Sequence, residues 1–138
     1  MLKYEPNAYV AFELSPLTRG ELLAAYPPKF EKVVCHHVTV IFRPTQTEFD
    51  EAMKQFADGV TSAQAYGYSC DDSLECFSVK LNGTPKRPFH GFYHVTHSHE
   101  ANRKPVDSNK LLVARNGSPI TKIEPIILKG ELKSFKWS

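Results

Sequence analysis

The stretch Val33-Val34-Cys35-His36-His37-Val38-Thr39-Val40-Ile41-Phe42-Arg43 reads as the strongest β-strand in the chain. β-Branched residues fill it, and such side chains suit the pleated, half-buried surface of a sheet. Alternation with period two sets Cys35, His37, Thr39 and Ile41 on one face. Val34, His36, Val38, Val40 and Phe42 occupy the other. The second face is the more apolar and is expected to meet the core, which leaves the His37/Thr39 face to line a cleft. On this reading Cys35 is a buried small hydrophobe, and His36 is a packed, hydrogen-bonded core residue.

The tripeptide His37-Val38-Thr39 returns 57 residues later as His94-Val95-Thr96. The second copy lies in a strand expected from Gly91 to Ser98, with Phe92, His94, Thr96 and Ser98 on one face. Residues two apart in a strand share a face at a spacing of about 7 Å. Each copy therefore offers one imidazole beside one hydroxyl.

Outward from these strands, Asn7 to Leu14 alternates as a first strand, with Val10, Phe12 and Leu14 on one face and Tyr9, Ala11 and Glu13 on the other. Ser15-Pro16 then opens a helix, with serine as N-cap and proline at the first helical position. Leu17, Leu22, Leu23 and Tyr26 are its expected buried side, and Pro27-Pro28 ends it. Thr45-x-x-Glu48 resembles a capping box for a helix over about 48–57. Strands are expected over Thr61–Ser69 and Leu74–Leu81, the latter followed by the tight-turn pair Asn82-Gly83. Residues 100–119 read as loop with a short helix near 109–114, and a final strand or hairpin covers Ile123 to Trp137. The order βαβαβββ with a β tail predicts an α+β fold with largely antiparallel sheets. At 138 residues the chain is expected to form one domain.

Composition narrows the partners. Hydrophobic residues at 41%, aromatics at 12% and charges at 23% are those of an ordinary globular protein. The net charge of +2, from 17 basic and 15 acidic residues, lacks the basic excess of proteins that grip long nucleic acid. A small anionic ligand fits better. Cys35, Cys70 and Cys76 show no C-x-x-C spacing, and no basic-then-apolar leader opens the chain. A reduced, cytoplasmic setting is therefore expected. No run approaches the roughly 18 apolar residues of a membrane span, so no membrane partner is expected, and a monomer is favoured.

Imidazoles have an ordinary pKa near 6.5, so one ring can accept a proton while another donates one. Threonine hydroxyls beside them can hold non-bridging phosphate oxygens and stabilise charge that develops on them. His37, Thr39, His94 and Thr96 are accordingly the candidate catalytic residues for acid–base chemistry on a phosphodiester, with no cofactor and no metal. A metal site is the competing reading for His90, His94, His97, His99 and Glu100. Strand parity opposes it, since His94 points away from His97 and His99. His90 and His99 are then expected to be solvated. Lys129, Lys133 and Lys136 could attract phosphates, and Tyr9, Tyr66, Tyr68, Phe135 and Trp137 could stack nucleobases.

Two strand-borne His-x-Thr motifs resemble the signature of the two-histidine (2H) phosphoesterase superfamily. Within it the chain is most similar to the phage anti-CBASS phosphodiesterase family, on the segments Ala8-Tyr9-Val10-Ala11, Leu23 to Lys29, His36 to Phe42, His94-Val95-Thr96 and Pro105 to Asn109. That resemblance implies a two-lobed α+β domain with antiparallel sheets around a central cleft and flanking helices. It implies His37 and His94 as the acid–base pair, Thr39 and Thr96 as phosphate binders, and Tyr9, Glu131 and Trp137 as ligand contacts. The implied substrate is a cyclic di- or trinucleotide messenger of bacterial immunity, destroyed in the host cytoplasm. An RNA-repair enzyme acting on 2′,3′-cyclic ends, or a non-catalytic sponge for cyclic nucleotides, are the alternatives.

Overall fold

The computed structural model describes residues 2–137. Eight strands and three helices run in the order β1 (Ala8–Leu14), α1 (Pro16–Ala25), β2 (Lys32–Val33), β3 (His37–Ile41), α2 (Gln46–Met53), β4 (Ala63–Cys70), β5 (Leu74–Leu81), β6 (His94–His99), α3 (Asp107–Ala114), β7 (Thr121–Ile127) and β8 (Gly130–Lys136). They form two antiparallel sheets, β3-β1-β8 and β2-β6-β5-β4-β7. The architecture is a two-lobed α+β fold.

Local chemistry accounts for most element ends. Ser15 accepts from the Thr18 amide at 3.1 Å and Pro16 occupies the first turn of α1, as the sequence predicts. Thr45 and Glu48 close a reciprocal capping box at 3.1 and 2.8 Å. Asn82 and Gly83 both take positive φ, at 49° and 81°, which is the backbone of a type I′ hairpin turn. Replacing Thr45 by alanine is expected to cost about 1 kcal/mol. Urea unfolding should show a lower midpoint with an unchanged slope.

The long strand 33–43 is not continuous. Cys35 turns to φ 40°, and the chain passes there from one sheet to the other. Lys32 and Val33 pair with His99 and Ser98. The Val34 and Cys35 amides then donate to His97 and Thr96 carbonyls at 2.9 and 2.8 Å, and the Leu14 amide takes the His36 carbonyl at 2.9 Å. Strand parity is reset at that corner. Cys35 consequently leaves the His37 face and lies fully buried in the core, where burial pushes its thiol up to about 11.

The expected C-terminal hairpin is also two separate strands. β7 pairs with β4 and β8 with β1, so the tail joins both sheets. Its corner is held by Leu128 on Ala63, by Lys129 on Thr18 and by Ser15 on Lys129. Leu17 is exposed, and Thr18 takes the buried place expected of it. The helix expected over 48–57 runs over Gln46–Met53 with a 3-10 turn at 54–56, and that expected at 109–114 begins at Asp107.

One apolar cluster joins the sheets. Val10, Phe12, Val38 and Val40 of the first meet Phe77, Val79 and Val95 of the second, and Leu22, Phe49 and Phe56 complete it. The apolar face predicted for Val38 and Val40 is thus the core face, but a register irregularity at Val10/Ala11 reverses the next two residues. Ile41, expected on the His37 face, joins the core, and Phe42, expected in the core, is exposed. The opposite face carries the candidate site.

Candidate active site

In the first sheet, register sets the site. Glu13 lies opposite His37 on one side and Glu131 on the other, while Ala11 lies between Thr39 and Lys133. Directly opposed residues share a face, so Tyr9, Glu13, His37, Thr39, Glu131, Lys133 and Phe135 project together. The small Ala11 between Tyr9 and Glu13 leaves room for rings to lean along the strands. Tyr9 stacks on Phe135 at 5.3 Å and approaches His37 at 5.7 Å.

The second imidazole arrives through the corner at Cys35. Residues 32 to 35 run antiparallel to residues 99 to 96, and β3, which carries His37, then lies against β6, which carries His94. Charge on His37 disfavours protonation of His94. The first tripeptide's ring is partly open to solvent and the second is buried.

Hydrogen bonding fixes which nitrogen each ring presents. His94 Nδ1 lies 2.9 Å from the Phe92 carbonyl. A carbonyl only accepts, so Nδ1 carries the proton and Nε2 is free. His37 Nδ1 lies 2.9 Å from Nδ1 of His36, which leaves His37 Nε2 free as well. Burial, with smaller contributions from nearby charge, pushes both His37 and His94 down to about 4. At neutral pH and without an anion, both are neutral and offer lone pairs.

The hydroxyls of the two tripeptides differ. Thr39 is half-buried and makes no side-chain hydrogen bond among the described residues. Thr96 Oγ1 donates to the Pro105 carbonyl at 3.0 Å and meets Ser108 Oγ at 2.8 Å. Its one proton is thereby engaged in tying β6 to α3, whereas that of Thr39 is available to a ligand.

The three expected ligand contacts are spread along the face. Tyr9 sits next to His37. Glu131, with its side chain 74% exposed, stands opposite Glu13 and 3.7 Å from Lys133. Trp137 lies at the other end, half-exposed and edge-on to exposed Phe42 at 5.1 Å. Six residues of strand separate them, roughly 20 Å, so one small ligand cannot bridge both unless it is extended. A cavity of about 420 Å³ adjoins the Glu131 end, between Glu13, Ser15, Gly130 and Lys133.

Several members were not apparent from sequence. His36, expected in the core, has its side chain 44% exposed and lies 3.1 Å from Glu13 Oε2. The turn at Cys35 brings it onto the face of His37. Glu13 also binds Lys133 at 2.7 Å, and that ammonium holds its carboxyl below the usual range. The parity of Glu13 with Tyr9 was the available signal. Arg87 is a further addition. Its Nε is buried with no hydrogen-bond partner among the described residues, and its charge opposes protonation of His94.

The histidines of the competing metal reading do not converge. His97 is fully buried with Nε2 2.6 Å from the Tyr26 carbonyl and its ring edge-on to Phe77. His99, expected to be solvated, is buried with Nδ1 on the Glu100 carbonyl. Among the described residues, no group of three or more His, Cys, Asp or Glu is arranged to hold a metal ion. Tyr68 stacks on Tyr26 and bonds Glu75, away from the His37 face. Among the described residues, no helix is long and apolar enough to cross a membrane.

Compared with protein-family models and with curated protein sequences, the chain gives no match. Among solved structures its fold is similar to the crystal structure of a fungal RNA kinase, with a TM-score of 0.62 and 14% sequence identity. The likeness covers 100% of this chain and 47% of that one, so this chain spans about half the length of the kinase. What the two share at that identity is a fold.

Proposed function

We propose that the chain is a two-histidine phosphodiesterase that opens cyclic di- or trinucleotides. The observation that carries this reading is the pair of neutral imidazoles, His37 and His94, each held through Nδ1 with Nε2 free. In the proposed reaction one ring takes the proton of a ribose 2′-OH, whose oxygen attacks the adjacent 3′–5′ phosphorus. The P–O5′ bond breaks, and the departing oxygen takes a proton from the other ring. A 2′,3′-cyclic phosphate results, which water can open to a 3′-phosphate. Thr39 donates to a non-bridging oxygen, and the Tyr9–Phe135 and Phe42–Trp137 rings offer faces for bases.

The acid ring must be charged before it can act, yet both rings are depressed by about 2.5 units from 6.5. At about 1.4 kcal/mol per unit, that opposes charging by about 3 kcal/mol. An anion about 4 Å away contributes about 4 kcal/mol at an effective dielectric of 20. A bound phosphodiester therefore offsets the penalty for one ring, while a second charged ring would also meet the repulsion of the first, which leaves one acid and one base. Arg87, whose charge bears on His94, would add a further attraction for the phosphate.

Incubation of cyclic di- and trinucleotides with the protein in excess EDTA is expected to give linear products. Recovery of intact ligand would remove the enzymatic reading, and tight binding without turnover would indicate a sponge. An oligonucleotide with a 2′,3′-cyclic end is the second substrate to try, because the fold-similar protein is named as an RNA kinase. Turnover of that substrate alone would favour RNA-end processing. If the chain is phage-encoded, ring opening in the host cytoplasm would silence CBASS messengers.

A further inference from the structure

We propose that His36 and Glu13 form a proton relay behind His37, so that a proton gained by His37 is held as charge on His36. This rests on the two-histidine reading and adds positioning residues to it. Glu13 Oε2 lies 3.1 Å from His36 Nε2, and Oε1 accepts from Lys133 at 2.7 Å. An ionised carboxylate only accepts, so His36 Nε2 carries an N–H. Neutral His36 then bears its lone pair at Nδ1, which receives the Nδ1–H of His37 at 2.9 Å.

The step balances without another reactant. A proton leaves a substrate hydroxyl and forms an N–H bond at His37 Nε2. The His37 Nδ1 proton moves to His36 Nδ1. The products are neutral His37, now protonated at Nε2, and an imidazolium on His36 facing the Glu13 carboxylate. Run in reverse, the same transfers deliver a proton from Nε2 to a leaving oxygen, so the relay serves either role.

Location favours charge on His36. Its side chain is 44% exposed and touches a carboxylate, whereas His37 is held down to about 4 by burial first and His36 second. Around the pair stand Tyr9 and Glu13 from β1 and Glu131 and Lys133 from β8, and in the second lobe His94 of β6, on which Arg87 of the β5–β6 connection acts. Of these, Glu13 alone is in bonding contact with His36, since Glu131 is directed to Lys133. His94 has no comparable outlet, because its Nδ1 abuts a carbonyl.

A pH titration of the ring nitrogens by ¹⁵N NMR tests the relay without substrate. In the wild type, acidification should switch His37 from the Nδ1–H to the Nε2–H form before that ring itself becomes charged. In H36N the introduced amide oxygen can accept from His37 but cannot take a proton, so the switch should vanish. E13Q, which removes the carboxylate facing His36 Nε2, should weaken the switch. In turnover, H36N should lose about 10–100-fold in kcat with KM within about twofold, and the acid limb of its pH profile should move. A wild-type His37 that keeps its Nδ1–H form until it charges itself would overturn the relay, as would an H36N enzyme with the wild-type rate and profile. Because the titration needs no nucleotide, failure of the relay and absence of turnover are read separately.

Discussion

His37→Ala and His94→Ala should each lower kcat/KM for a cyclic dinucleotide by about 10³-fold, within the range for removing one acid–base group. The double variant should be little worse than either single one, because proton removal and donation belong to one displacement. The two singles differ in what they do to the fold. His37 is partly open, and its loss removes the hydrogen bond to His36 and ring contacts with Tyr9 and Phe135 without stranding a buried acceptor. His94 is buried and satisfies the Phe92 carbonyl, so His94→Ala should also cost about 1–3 kcal/mol for an unpaired buried acceptor. His94→Asn restores a donor there and separates the effects. It should recover stability without recovering rate. Steady-state kinetics beside thermal unfolding checks both, and a near-wild-type rate in either alanine variant would exonerate that ring.

What was legible in the sequence is what local chemistry decides. Ser15-Pro16, Thr45 with Glu48 and Asn82-Gly83 each fix a helix start or turn through bonds within a few residues. Val38 and Val40 against His37 and Thr39 set the faces of β3, since only one arrangement buries the valines. What was illegible depends on distant partners. Cys35 adopts positive φ because β2 must pair with β6 while β3 pairs with β1, and no residue near position 35 signals that divergence. The same divergence turned His36 from an expected core residue into a neighbour of His37. β7 and β8 look like a hairpin because they are adjacent and alternating, yet each is claimed by a different sheet. Thr96 resembles Thr39 in motif, and only α3, through Ser108, distinguishes their hydroxyls.

The second large effect is on stability against acid. His37 and His94 charge near 4 in the folded protein and near 6.5 in an unfolded chain. Between those values the unfolded state binds more protons, so stability falls as pH is lowered through that window and the loss levels off below it. Above about 6.5 both states hold the rings neutral and the pair contributes nothing. With about 2.5 units at about 1.4 kcal/mol each, either ring can cost about 3 kcal/mol, a large share of the 5–15 kcal/mol typical of a folded domain. Carboxylates whose pKa is lowered, such as Glu13, Asp71 and Asp107, act at the acid edge of this window and below it. Urea unfolding at pH 7, 5.5 and 4 should therefore show a decline for the wild type that is much shallower in the H37A/H94N double variant. An added inert phosphodiester, such as a phosphorothioate-linked cyclic dinucleotide, should reduce the decline in the wild type alone, because the anion favours a charged ring in the folded state. Equal pH slopes for wild type and double variant would mean that neither imidazole is held neutral by its surroundings, and the loading of the acid by a bound phosphate would lose its basis.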